Sequence, residues 1–181
     1  MSSLPAPGAP VARPHHRFWP KRLPYALRPP ATSVWHNLAV SALRYPDKPA
    51  LVFFDRTTTY AELLAQAERL AAHLRAQGVQ DGDRVIVFMQ NCPQWIVAYH
   101  AVLRANAVVV PVNPMNKADE LGHYITDADA RVAICSADLA GELVKANTDV
   151  PEAERLRHLV VTHYADAFGP AAEIPPAWEG W

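Results

Sequence analysis

Between Arg84 and Pro114 the chain reads RVIVFMQNCPQWIVAYHAVLRANAVVVPVNP. Two uninterrupted apolar runs, Val85 to Met89 and Ala107 to Val112, enclose a segment whose apolar residues recur at helical spacing. A strand with one wet face alternates polar and apolar residues, whereas a strand covered on both faces has no need to. The two runs therefore predict strands buried on both faces. The helix between them turns Trp95, Ile96, Tyr99, Val102 and Leu103 to one side. Pro93 falls in its first turn, where a missing N–H costs nothing. Such a strand, helix and strand form one β-α-β unit of a parallel sheet, and that obliges the remaining segments to cover the sheet's faces.

The neighbouring segments comply. Thr32 or Ser33 is a suitable N-cap for a helix whose Val34, Trp35, Leu38, Ala42 and Leu43 make one apolar stripe, ended by Tyr45-Pro46. A short strand is expected over 50–54, turned by Asp55-Arg56. The best-marked helix follows, with Thr59 and Glu62 spaced as a capping box, a stripe of Leu63, Leu64, Ala67, Leu70, Ala71 and Leu74, and Gly78 past its end. Downstream, the pattern predicts a helix over 117–128, a strand over 131–135, a helix over 137–147 and a strand over 158–162. Strand and helix alternate throughout, so the expected architecture is a three-layer α/β domain with a mainly parallel β-sheet flanked by helices.

Three regions are expected: a Pro-rich basic arm over 1–32, the α/β domain over 33–165 and a tail over 166–181. Eight of the 17 prolines lie in the arm, which excludes a persistent helix or a central strand there. Its Phe18, Trp19, Leu23 and Tyr25 are expected to dock on the domain, because a free linker rarely carries so many aromatics. Up to Pro46 there are six Lys and Arg and no acid, while the remainder sets 11 Lys and Arg against all 18 acids, a net −7. No chain-wide basic field for nucleic acid results, and the basic arm alone suits an anionic surface. No apolar run reaches the roughly 20 residues of a membrane span.

Chemistry-bearing residues are sparse. Cys92 and Cys135 make neither a disulfide framework nor a metal site, and both read as structural, Cys135 as a buried thiol closing its strand; reducing, cytoplasmic residence is the default expectation. Cys92 precedes a helix, whose dipole tends to lower a thiol pKa, but no partner base accompanies it. His15-His16 lacks the Asp of the acyltransferase signature His-His-x-x-x-Asp, because Pro20 holds that position. The other histidines show no ligand spacing. An open parallel sheet binds ligands at the carboxyl ends of its strands, here around Gln90–Cys92, Val112–Met115 and Ser136. None of these loops is glycine-rich, and the seven glycines form no dinucleotide fingerprint or P-loop. Asn91 and Asn113 follow buried strands but read first as turn and cap residues.

Six stretches in one order carry a family resemblance: Pro46-Asp47-Lys48-Pro49-Ala50, Thr59-Tyr60-Ala61-Glu62-Leu63, Gly82-Asp83-Arg84-Val85, Asn91-Cys92-Pro93, 107–114 and Glu120-Leu121. Together they resemble the opening of the AMP-forming acyl-CoA synthetases. Within the arm, 17–24 resembles the start of bacterial long-chain fatty-acid CoA ligases. Asn106 stands where the family usually has Gly, and Asn also tolerates a left-handed helix end. The resemblance implies the N-terminal subdomain of the adenylate-forming fold. It also implies a parent enzyme that joins a carboxylate to ATP with Mg²⁺, releases pyrophosphate, and passes the acyl group to the thiol of CoA.

The family's phosphate loop, its Tyr-Gly-x-Thr-Glu stretch, its ribose-binding Gly-Asp and its C-terminal lysine have no counterpart here, and Thr57-Thr58-Thr59 is no phosphate loop. No catalytic, cofactor-binding or metal-binding residue is therefore assigned. The chain is expected to be an inactive scaffold piece ending just before the phosphate loop. ATP, Mg²⁺ and CoA would be bound only by the complete enzyme. Its partners would be the rest of that enzyme and, through it, a fatty acid, with peripheral contact at the inner membrane face through the arm. Self-association is expected through the tail's exposed Trp178 and Trp181. Two alternatives stand beside this reading: a stand-alone protein- or membrane-binding module, and a nucleotide-binding oxidoreductase domain, which the missing glycine fingerprint disfavours.

Overall fold

Thr59 and Glu62 close the capping box their spacing promises. The Glu62 N–H donates to the Thr59 hydroxyl at 3.2 Å, and the Thr59 N–H donates to the Glu62 carboxylate at 2.8 Å. The helix they start, α2 (Tyr60–Ala76), buries Leu63, Ala67, Ala71 and Leu74. It ends where Gly78 takes a φ of 90°, a conformation without penalty only for glycine. This computed structural model describes residues 13–26 and 29–173. Two units are distinguished, 1–32 and 33–181. In the first, a short 3-10 turn, Pro14–Phe18, is followed by a bend in which the Trp19 indole N–H donates to the Pro24 carbonyl. Residues 1–12 and the tail from 174 onward, with Trp178 and Trp181, lie outside the described residues.

The second unit opens with α1 (Val34–Arg44) and a two-stranded antiparallel hairpin, β1 (Pro49–Phe53) and β2 (Arg56–Thr59). After α2 come β3 (Arg84–Phe88), α3 (Pro93–Arg104), β4 (Val108–Val112), α4 (Ala118–Asp127), β5 (Val132–Ser136), α5 (Ala137–Asp149) and β6 (His158–Thr162). The last four strands form one parallel sheet in the order β4-β3-β5-β6. Alternation along the strands sorts the core into two halves. Val85, Val87, Val132 and Ile134 meet α2 and α3, while Ile86, Phe88, Ala133 and Cys135 meet α4 and α5. Helices thus cover both faces, as the alternating pattern requires.

Three expectations need correction. β4 is an edge strand, not one covered on both faces: among the described residues it pairs only with β3, and Val108 is 47% exposed. Its apolar run misleads because helices screen part of it while its outer backbone edge stays open. In α1 only Leu38 and Ala42 are buried, whereas Leu43, at 84% exposure, lies outside the stripe assigned to it. Ser33 occupies the N-cap position without a side-chain cap bond. The third concerns the segment before α2, which is a strand that the sequence reading left out.

Asn106 does adopt the left-handed conformation, at φ 56°, and its side chain explains why Asn serves in place of Gly. The amide donates to Asp81 at 2.8 Å, and Arg75 bonds the other oxygen of that carboxylate at 2.7 Å. This network ties the end of α2 to the corner between α3 and β4. It also holds the Asp81 carboxyl below its ordinary value, chiefly through the Asn106 bond.

At the α1–α3 contact, the His100 ring lies edge-on to Trp35 at 6.3 Å, with Arg104 over the same indole. His100 Nδ1 is buried without a hydrogen-bond partner, and desolvation lowers the imidazole below its ordinary 6.5. The folded chain thus takes up this proton less readily than the unfolded one, so stability is lost as pH falls through 6.5 and below. Denaturant midpoints measured across that range should fall for the native chain. They should fall less for His100→Gln, and parallel curves would refute the assignment.

Candidate functional site

In this sheet the chain reverses direction between β3 and β5. From β3 it moves outward to β4, then returns over β3 to lay down β5 and β6. A crevice at the carboxyl ends of such a pair is where open α/β sheets usually take ligands. Here Tyr164, from the turn after β6, fills it. Its phenol donates to Ser136 Oγ at 2.9 Å, at the end of β5, and accepts the Gln90 N–H at 3.1 Å, just past β3. Ser136 is fully buried and Tyr164 is 4% exposed. Burial raises the phenol's pKa, so it stays protonated as the donor that Ser136 receives. Gln94, in the first turn of α3, reinforces the closure by donating to the His163 carbonyl at 2.7 Å.

Tyr164 is the residue that the sequence reading missed. Its contacts are 28 and 74 positions away, and a tyrosine after a strand is in itself an unremarkable signal. Ser136 was placed correctly at a strand end, but its role there is to receive Tyr164 rather than a ligand. The two asparagines separate. Asn113 Oδ1 accepts the Met115 N–H at 3.0 Å and forms the turn expected of it. Asn91 is exposed and lines an apolar groove of about 290 Å³ between the hairpin and the start of α3, together with Val52, Phe53, Pro93, Trp95 and Ile96. The structure brings Asn91 and Cys92 together in this groove and leaves Asn113 elsewhere.

Neither thiol is poised for chemistry. Cys92 occupies the N-cap of α3, yet burial outweighs the helix end and raises its pKa. Cys135 is pushed up to about 12, first by burial and then by the Asp138 charge. A thiol raised in this way is a poor nucleophile. Among the described residues no group of three or more His, Cys, Asp or Glu side chains is arranged to hold a metal ion. No described helix is long and apolar enough to cross a membrane. Around Asp55 the geometry is that of a brace: its carboxylate accepts the N–H groups of Gly169 and Ala171 at 2.9 and 3.0 Å and fastens the hairpin to the segment after β6.

Comparison with known proteins gives this arrangement its context. A family model described as AMP-binding enzyme matches residues 38–179. A long-chain-fatty-acid–CoA ligase of Bacillus subtilis (strain 168) is 37% identical over 130 residues, which cover 72% of this chain and 23% of that protein. The N-terminal domain of FACL13 from Mycobacterium tuberculosis superposes with a TM-score of 0.66 at 25% identity, over 79% of this chain and 39% of that one. The anthranilate CoA ligase AuaEII, solved with anthranoyl-AMP, superposes with a TM-score of 0.68 over 75% of this chain and 26% of its own; at 22% identity it speaks for the fold alone. The chain thus spans about a quarter of the length of the curated relatives it matches.

Proposed function

Because the chain belongs to the AMP-binding enzyme family, we propose that it is the leading part of a long-chain fatty-acid CoA ligase and serves there as a structural wall. The observation that carries this reading is the 37% identity shared with the bacterial long-chain ligase over 130 residues. The complete enzyme would use ATP and Mg²⁺ to form an acyl-adenylate with loss of pyrophosphate, then exchange AMP for the thiol of CoA. No residue of this chain is given a step in that chemistry.

The geometry supports a wall more than a catalytic centre. At the switch point the Gln90 N–H and the Ser136 hydroxyl, the two groups best placed to meet a ligand, are engaged by Tyr164. The thiols are buried with raised pKa values. ATP fits poorly here, because a phosphate needs several converging N–H donors with close backbone approach. Around this crevice the glycines that would allow such approach are missing from the loops after β3, β4 and β5.

Purified protein tests the reading directly. With ATP, Mg²⁺, CoA and a long-chain fatty acid, the full-length enzyme is expected to release AMP and form acyl-CoA, and the 181-residue chain to form neither. Pyrophosphate release by the short chain alone would overturn the wall assignment. A full-length enzyme active only on acids without a long chain would overturn the substrate class.

A further inference from the structure

We propose that Asp55 is a positioning residue of the ligase: by holding the turn that follows β6, it fixes the direction in which the chain leaves the sheet for the rest of the enzyme. The proposal rests on the reading above that this chain leads a longer enzyme.

The segment after β6 is anchored at two places of different character. The first is Tyr164, whose buried phenol ties it to the ends of β3 and β5. The second lies further on, against the turn of the hairpin. There both oxygens of the exposed Asp55 carboxylate are engaged: Oδ1 accepts the Gly169 N–H at 2.9 Å and Oδ2 the Ala171 N–H at 3.0 Å. Gly169, Pro170, Ala171 and Ala172 make a turn of their own, closed by the Ala172 N–H on the Gly169 carbonyl at 3.3 Å. Pro170 sits where such a turn favours a fixed φ. A β-carbon on Gly169 would lie 2.5 Å from Asp55 Oδ2, so glycine is what lets the carboxylate approach.

The hairpin side of this contact is built to hold still. Phe54, beside Asp55, has a left-handed φ of 51°, which a non-glycine residue adopts at a cost. Its ring lies 4.5 Å from that of Phe168 and 4.9 Å from that of Phe53, and Phe53 packs against the core under α2 and α3. Arg56 adds a longer bond to the Asp166 carbonyl at 3.4 Å. None of residues 169–173 is buried, so their path is set by the carboxylate rather than by side-chain packing. The hairpin is a sheet of its own, and the contact completes no ladder of the parallel sheet. What Asp55 determines is where the chain heads, and that places whatever follows. Reacting groups carried on two parts of an enzyme lose rate steeply when one part shifts by about 1 Å.

Steady-state kinetics of the full-length ligase, beside denaturant midpoints of the 181-residue chain, separate positioning from mere support. Asp55→Ala should lower kcat for acyl-CoA formation roughly tenfold, with KM for ATP and for the fatty acid unchanged. It should move the midpoint of the short chain far less than Tyr164→Phe does. Gly169→Ala should produce the same loss of kcat, because its β-carbon forces the carboxylate away. In the Asp55→Ala background that space is free, and the second substitution should add nothing. Unchanged kcat in Asp55→Ala, a loss confined to KM, additive losses in the double variant, or a midpoint shift equal to that of Tyr164→Phe would each overturn the proposal. A wild-type enzyme that forms no acyl-CoA from a fatty acid fails the ligase reading and takes the proposal with it. An active enzyme indifferent to Asp55 fails the proposal alone.

Discussion

Phe88→Ala is expected to remove roughly 3–5 kcal/mol of folding stability, a large share of what a domain of this size has. Phe88 is fully buried in β3, between the helical layers, in the cluster it shares with Leu121, Ile125 and Leu143. Its neighbours belong to a strand ladder and to two helices held against the sheet by short connections to its strands, so the vacated volume cannot collapse fully. The measurement is the denaturant midpoint with an unchanged slope. The control is Val108→Ala on β4, expected to cost less than about 1 kcal/mol because that side chain already faces water in part. Equal losses at the two positions would contradict the assignment of β3 to the centre of the sheet and β4 to its edge.

Tyr164→Phe ranks second, at about 1–3 kcal/mol. The ring still fills the crevice, so the loss isolates the phenolic oxygen. Without it the Gln90 N–H loses its acceptor, and the fully buried Ser136 hydroxyl loses its donor. A midpoint unchanged within about 0.5 kcal/mol would mean that the bridge between the ends of β3 and β5 contributes nothing. In that event the crevice would be closed by ring packing alone.

The sequence was most readable where structure is decided locally. Thr59, Glu62 and Gly78 delimit α2 because a capping box and a left-handed helix end involve only neighbouring backbone. The left-handed Asn106 was legible for the same reason. β4 was misjudged because hydrophobicity reports the burial of side chains, whereas being an edge is a property of the backbone. Pro111, which lacks an N–H, is the residue in β4 that carries that information. β2, with the sequence Arg-Thr-Thr-Thr, has no apolar alternation and owes its existence to pairing with β1. Tyr164 was invisible because its two partners come together only when β3, β5 and β6 are laid side by side. The crevice at the strand ends follows from the strand order alone, but that Tyr164 occupies it could be learned only from the folded chain.

Cys92 packs with the α2 and α3 layer and Cys135 with the α4 and α5 layer, so the sheet stands between the two thiols. While that sheet is intact, the chain can neither staple itself with a disulfide nor be mispaired by one. Its native state is therefore indifferent to the redox potential around it, and only an unfolded or partly opened chain could record an oxidising episode as a cross-link.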